Sequence, residues 1–101
     1  MKRQHHELKI APEHFAGVID GSKKAEFRVN DRNFKCADVM RLREWERGDY
    51  TGREVSVMVT DCTDVTQYIN GESERCVRGK RFAMLSFDII HGSICKARYL
   101  R

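Results

Sequence analysis

The residues with the clearest chemical potential lie in one charged segment, residues 21–32, which reads Gly-Ser-Lys-Lys-Ala-Glu-Phe-Arg-Val-Asn-Asp-Arg. Charged and apolar side chains alternate over residues 24–29, which predicts a β-strand with Lys24, Glu26 and Arg28 on one face. The planar guanidinium of Arg28 suits a phosphate or a carboxylate, and Glu26 can accept a hydrogen bond from the exocyclic amine of a base. The segment therefore predicts one wall of a nucleic-acid or nucleotide site.

The predicted site extends beyond this strand at both ends. Lys23 stands at its start, and Asp31 with Arg32 follows its end. Trp45 or Tyr50 would stack on a base if the fold brought either ring near the cleft. The alternative is an ion-pair network that satisfies itself and braces the protein without binding any ligand.

A second basic cluster, near the C-terminal third, has two interpretations. It could track a nucleic-acid backbone, or it could be a solvated loop with no partner. Its members are Arg75, Arg78, Lys80 and Arg81. A further basic face is interrupted by glutamates, which favours a structural role there; its arginines are Arg41, Arg43 and Arg53.

The composition predicts one cytoplasmic domain over residues 1–101, with a core at about 5–90 and a polar, basic tail at 91–101. The chain has 101 residues, a formal net charge of +4 and 34% charged residues, a mild basic bias that permits contact with phosphate. The N-terminus lacks the apolar region of a signal peptide, so the four cysteines should be reduced, and no apolar run could span a membrane. The four histidines have no zinc-ligand spacing, so we expect no metal and no cofactor.

The periodicity predicts a mostly β, α+β fold that curls into a small barrel of about five strands. A first strand at 6–10 precedes a short helix at 12–20, which Gly21 ends. Further strands follow at 24–29, 39–45, 53–62 and 81–90. We expect loops at 48–52 and 63–79, the second with a short helix near 64–69. The strand at 81–90 is apolar on both faces and should be central in the sheet.

Several short motifs carry a resemblance to a known family. They are His6-Glu7-Leu8-Lys9-Ile10, the segment 21–32, Phe34-Lys35, Leu42-Arg43-Glu44-Trp45 and Tyr50-Thr51-Gly52-Arg53. Together these motifs resemble the DUF3850 family, which is similar to the ASCH domains of the PUA-like superfamily. One departure is Ala37, where the family usually has a glycine before the aspartate.

The resemblance implies a small β-barrel with a cleft beside the helix, and RNA or a nucleotide as partner. It also implies an alternative, because some ASCH proteins are amidohydrolases that deacetylate N4-acetylcytidine with a lysine, a threonine and a glutamate. Lys23 and Arg28 match the pattern Gly-x-Lys-x-x-Thr-x-Arg of those enzymes, but Glu26 replaces the threonine. Lys23 and Glu26 would then be the catalytic residues, with Glu26 as a general base on water. Glu72 and Glu74 are candidates for the partner glutamate.

Overall fold

The strand patterns of the sequence form one sheet in the computed structural model, which describes residues 3–68 and 80–98. The elements are β1 (His5–Ile10), α1 (Pro12–Asp20), β2 (Ala25–Val29), β3 (Val39–Glu46), β4 (Asp49–Asp64), a short 3₁₀ helix (Thr66–Tyr68) and β5 (Phe82–Ile89). The predicted order of strand, helix and four further strands is therefore confirmed. The predicted short helix near 64–69 is the 3₁₀ turn, and residues 69–79 lie outside the described part of the chain.

The five strands are arranged in the order β1-β3-β4-β5-β2. β1 runs parallel to β3, and the other three neighbouring pairs are antiparallel. The sheet curls into a half-barrel, which confirms the predicted α+β, mostly β, barrel-like fold. Because α1 joins β1 to β2, it connects the two edge strands of the curled sheet.

The core lies between the concave face of the sheet and α1. In the helix, Phe15 and Val18 are three positions apart and both are buried, as the apolar helical spacing predicts. The buried apolar side chains of the sheet and its loops are Leu8, Ile10, Phe34, Val39, Met40, Leu42, Val55, Val57, Val59, Ala83, Leu85 and Phe87. Cys62 is partly buried and packs against this cluster.

Helix α1 begins and ends where the sequence predicts. Pro12 occupies the first turn, and Gly21 closes the helix at a φ of 83°, with its N–H donating to the carbonyl of Val18. Only glycine adopts this left-handed conformation without steric cost. In the described residues, no helix has the length and apolar character needed to cross a membrane.

The predicted loop at 48–52 is wrong. β3 and β4 are joined instead by a two-residue turn, Arg47-Gly48, whose φ angles are 51° and 82°. Two successive positive φ angles define a type I′ turn, whose twist matches that of the flanking strands, so the hairpin closes tightly. β4 consequently begins at Asp49 and continues to Asp64, with a β-bulge between Val59 and Asp61.

The prediction that strand 81–90 lies inside the sheet is confirmed, but its second face is not buried. β4 is the middle strand, and β5 lies between β4 and the edge strand β2. Ala83 and Leu85 on β5 face the core, but Met84 between them is 37% exposed. The apolar residues on the second face of β5 therefore face solvent rather than a second packed layer.

The loop between β2 and β3 contacts both β1 and β4. Phe34 is buried, and its ring lies 4.6 Å from the ring of His6. Ala37 forms the bend with a φ of 73°, and its N–H donates to the carbonyl of Val59 at 2.8 Å. The departure from the family's glycine therefore leaves an alanine in a strained backbone conformation, without loss of the bend.

Candidate functional site

Strand β2 turns its charged side chains toward the inside of the half-barrel. Glu26 pairs in register with Leu85 and Arg28 with Ala83, and both β5 partners are buried. Directly paired residues of antiparallel strands project from the same face, so Glu26 and Arg28 lie on the concave face. Phe27, between them, is 47% exposed on the convex face. The charged side chains of Glu26 and Arg28 are thus on the inner side of the sheet.

Glu26 and Arg28 form an ion pair on that inner face. Nη1 of Arg28 donates to Oε2 of Glu26 at 3.0 Å, and the two side chains are 31% and 14% exposed respectively. Glu26 and Arg28 thus pair with each other, as the alternative of a self-satisfied ion-pair network predicts. A guanidinium has five N–H donors, so one bond to Glu26 leaves Arg28 with donors for an anion as well.

Lys23 is held by the helix that precedes it. Its backbone N–H donates to the carbonyl of Gly17 at 2.9 Å, and Asp20 Oδ1 accepts from the backbone of Ser22 at 2.7 Å. The hydrogen bonds from Ser22 lower the pKa of the exposed Asp20 carboxyl. Lys23 and Lys24 line a cavity of about 120 Å³ together with residues of α1 and β5.

Arg28, Asp31 and Arg32 line a second cavity, of about 390 Å³, at the far end of β2. Phe27 and Val29 complete its wall. Nη1 of Arg32 donates to the main-chain carbonyl of Glu7 at 2.8 Å, so this arginine links the end of β2 to the opposite edge strand. The charged residues of this segment therefore follow β2 from end to end. Those at the two ends line the two cavities, whereas Glu26, in the middle of the strand, lines neither.

Trp45 and Tyr50 lie elsewhere in the fold. They face each other across the β3–β4 hairpin, with ring centroids 4.9 Å apart and planes at 85°. Nζ of Lys9 lies 3.8 Å from the Trp45 ring, and the Arg43 guanidinium lies 3.8 Å from the Tyr50 ring. β4 and β5 separate β3 from β2 in the sheet, so the structure does not bring these aromatic rings to the charged strand.

The structure also contains a buried polar cluster around Glu44, which is not among the site residues predicted from the sequence. Glu44 has no solvent exposure, and its Oε1 accepts from Thr51 Oγ1 at 2.6 Å and from Arg53 Nε at 2.9 Å. The hydrogen bonds from Arg53 lower the pKa of the Glu44 carboxyl against the opposing effect of burial. Alternation along β3 already placed Glu44 on the same face as Met40 and Leu42, which was the available signal.

A second buried polar pair stands near the start of β1. His6 Nε2 lies 2.9 Å from Asp38 Oδ2, and the backbone N–H groups of Gln4 and Lys35 donate to the same carboxylate. Burial raises the pKa of Asp38, but these hydrogen bonds outweigh it, so that the net pKa is lowered. The pair anchors the loop before β3 to β1.

The interrupted basic face behaves as the structural interpretation predicts. Glu7 accepts from Arg43 at 2.7 Å, and Arg41 pairs with Glu54. Of the second basic cluster, Lys80 is exposed and Arg81 pairs with Asp64, whose pKa is lowered to about 2 by hydrogen bonds from Thr66 and Arg81. Arg75 and Arg78, like the candidate glutamates Glu72 and Glu74, lie outside the described residues.

Metal ligation finds no support in the part of the chain that the structure describes. Across residues 3–68 and 80–98, no three side chains of histidine, cysteine, aspartate or glutamate converge on a point that could hold a metal ion.

Comparison with known protein families supplies one match that covers most of the chain. The model of the family DUF3850, described as a domain of unknown function, matches residues 5–79. A curated relative from Escherichia phage P2, named "Uncharacterized 12.9 kDa protein in GpA 3'region", is 42% identical over 64 residues, or 63% of this chain. The matched segment spans 59% of that relative's length.

Two solved structures are similar in fold. The hypothetical protein PH0355 superposes with a TM-score of 0.59 and 16% identity, over 86% of this chain and 100% of its own. The S128A variant of ZmASCH from Zymomonas mobilis superposes with a TM-score of 0.60 and 10% identity, over 96% of this chain and 74% of its own. These similarities confirm an ASCH-like fold.

Proposed function

This chain belongs to the DUF3850 family, and from that premise we propose that it binds RNA or a nucleotide through the charged inner face of β2. The binding residues are Lys23, Lys24, Glu26, Arg28, Asp31 and Arg32. The observation that carries the proposal is the orientation of β2, which turns Glu26 and Arg28 inward and Phe27 outward.

That orientation is costly for folding alone. Moving a charged pair partly out of water is penalised, and an apolar side chain left in water contributes little to stability. A strand with Ala25, Phe27 and Val29 turned inward would bury more apolar surface in the core. A fold that retains the opposite orientation has a use for charge on its concave face, since a few convergent polar groups in a cleft are typical of binding sites.

The chemistry of these residues suits a nucleotide. Arg28 keeps donors for a phosphate beyond its bond to Glu26, and Lys23 supplies a second cation at the start of the strand. Glu26 can accept from the exocyclic amine of cytosine or guanine. Asp31 and Arg32 extend the same arrangement along the larger cavity at the end of β2.

Hydrolysis of a modified nucleoside is not the function that we propose. In the described residues, no hydrogen bond or ion pair joins Lys23 to Glu26, and the carboxylate of Glu26 is held by Arg28 instead. Incubation with N4-acetylcytidine, with release of cytidine as the readout, tests this alternative directly. Release by the native chain but not by Lys23→Ala would replace binding by catalysis as the function.

Equilibrium binding of fluorescein-labelled single-stranded RNA, followed by anisotropy at low salt, tests the proposal. We expect Lys23→Ala to weaken binding about tenfold, the effect of losing one well-placed charged contact. The double variant Glu26→Gln with Arg28→Gln should weaken it similarly, without leaving either charge unpaired.

Arg47→Asn is the matched control, because it removes one positive charge at the β3–β4 turn, away from β2, and asparagine tolerates a positive φ. It should change the dissociation constant less than twofold. Absence of binding to every RNA and nucleotide tried, or equal losses in all three variants, would contradict the proposal.

A further inference from the structure

The convex face of β2 and β5 carries an exposed aromatic patch, defined here by Phe27, Phe82 and Met84. The rings of Phe27 and Phe82 are nearly parallel, with planes at 12° and centroids 5.4 Å apart. Phe27 is 47% exposed and Met84, its partner in the β2–β5 register, is 37% exposed. The exposed aromatic patch lies on the sheet face opposite to Glu26 and Arg28, so the proposed binding residues do not account for it.

The geometry of the exposed aromatic patch is that of a stacking surface. One face of Phe27 rests near Phe82, and the ring still keeps almost half of its surface in water. Phe27 also lines the cavity of about 390 Å³ at the end of β2. An aromatic side chain with an open face beside a cavity can accept a planar base at a favourable distance, and every base offers such a face.

Basic residues lie toward one end of this patch, where Asp31 also lines the cavity. Arg32 is exposed and lines the same cavity as Phe27. The N–H of Asn30 donates to the carbonyl of Arg81 at 2.8 Å, which holds the loop with Arg32 beside the start of β5 and the exposed Lys80. Cations beside an aromatic ring complement a polyanion whose bases are free to stack, which is the chemistry of single-stranded nucleic acid.

We propose that the exposed aromatic patch stacks a base of single-stranded RNA, with Phe27 as the stacking ring and Arg32 and Lys80 as contacts for the flanking phosphates. This inference rests on the proposed function and adds a second contact region on the opposite side of β2. RNA passing around this edge strand would meet the charged inner face and the aromatic outer face in succession. β2 has only five residues, so it offers a second copy of the chain little backbone to pair with.

Phe27→Leu separates stacking from apolar bulk, and Ile94→Leu, at an exposed apolar position after β5 and outside the patch, is the control. The probe is a fluorescein-labelled oligouridine of roughly 12 nucleotides, a length within the usual range of single-strand sites. We expect Phe27→Leu to weaken binding about five- to tenfold and Ile94→Leu to leave it within twofold. Thermal unfolding of both variants shows that each is folded before binding is measured.

The Lys23→Ala variant, measured in the same series, separates this inference from the proposed function. Weaker binding in Lys23→Ala with native binding in Phe27→Leu would overturn the stacking site and leave the proposed function intact. Weaker binding in Phe27→Leu alone would support the patch and count against the inner face. No binding by the native chain would reject both. A native dimer that becomes monomeric in Phe27→Leu, seen by light scattering, would overturn the inference in favour of self-association.

Discussion

Glu44 is a fully buried charged residue whose hydrogen bonds contribute to the stability of the fold. Its carboxylate has no solvent exposure and accepts hydrogen bonds from Thr51 and Arg53, and Arg98 lies 3.5 Å from it. A buried carboxylate is tolerated only when such partners replace its water. The Arg53 guanidinium also lies 5.1 Å from the Phe15 ring, so the cluster joins the β3–β4 hairpin to helix α1.

Glu44→Gln should destabilise the fold by about 2–4 kcal/mol. The variant leaves the partly buried Arg53 guanidinium without this negative partner, and the NH2 group of the glutamine is a donor that the guanidinium cannot accept from. Urea unfolding at neutral pH measures the change. Glu54→Gln is the control, since Glu54 pairs with Arg41 at a more exposed position, and it should cost less than about 1 kcal/mol. Equal losses in the two variants would show that burial does not govern the Glu44 interaction.

The same residue gives a dependence on pH with a definite sign. The pKa of Glu44 is lowered below its ordinary value of 4.5, chiefly by Arg53. The unfolded chain therefore takes up this proton first as the pH falls, so the stabilisation is present above about pH 4.5 and is lost below it. In Glu44→Gln, the free energy of unfolding should depend less on pH in this range. An unchanged acid slope would exclude Glu44 as a contributor.

At the scale of elements, the contact between α1 and the start of β2 determines where Lys23 lies. A Cβ at Gly17 would stand 3.1 Å from the Cβ of Lys23 and 3.4 Å from Oγ of Ser22. The helix and the connection that carries Lys23 approach this closely only because residue 17 has no side chain. The alternating pattern of 24–29 predicts the strand, but it contains no information about this approach.

Gly17→Ala should therefore favour the helix but weaken RNA binding. Alanine favours the helix by about 1 kcal/mol, whereas its Cβ displaces Lys23 by a few tenths of an ångström. We expect a change in stability within about 1 kcal/mol and RNA binding weakened about threefold, measured by thermal unfolding and by anisotropy.

Ala16→Ser, at an exposed position of the same helix, is the control and should bind RNA as the native chain does. Native affinity in Gly17→Ala would mean that the position of Lys23 does not limit binding.

Element by element, the sequence predicted the strands and the helix because alternation and helical spacing are local properties. It misplaced the β3–β4 turn, since Arg47 at a φ of 51° is an unusual residue for a type I′ turn and carried no signal. It correctly placed β5 inside the sheet. It did not show that the second face of β5 meets solvent, because apolar residues on two faces look the same whether that face meets another layer or water.

At the scale of the whole molecule, the two edge strands of the half-barrel are connected by a helix and a side-chain hydrogen bond, not by strand pairing. Helix α1 joins them through the chain, and Arg32 bonds the end of β2 to the carbonyl of Glu7 on β1. Beyond the sheet, residues after β5 return to it, where Cys95 exchanges two backbone hydrogen bonds with Glu54. The polar tail thus adds one isolated bridge to the sheet, at Cys95.

The basic character of the chain, with a net charge of +4, predicts that RNA binding weakens as the salt concentration rises. If three phosphates are contacted, the logarithm of the RNA association constant should fall with the logarithm of salt concentration with a slope of about −2. Lys23→Ala should reduce the magnitude of that slope by about 0.7, and the Arg47→Asn control should leave it unchanged. Titrations at several salt concentrations provide the measurement. A slope near zero would contradict phosphate binding.

The sequence by itself determined the family, the fold class, the helix bounds and the charged character of β2. These follow from residue spacing and from motifs that any chain with this order of residues carries. Only the tertiary structure decided which way β2 faces, because its pairing with β5 turns Glu26 and Arg28 inward and Phe27 outward. Only the strand order separated Trp45 and Tyr50 from that strand, since a distance across a sheet depends on pairings between segments far apart in the chain.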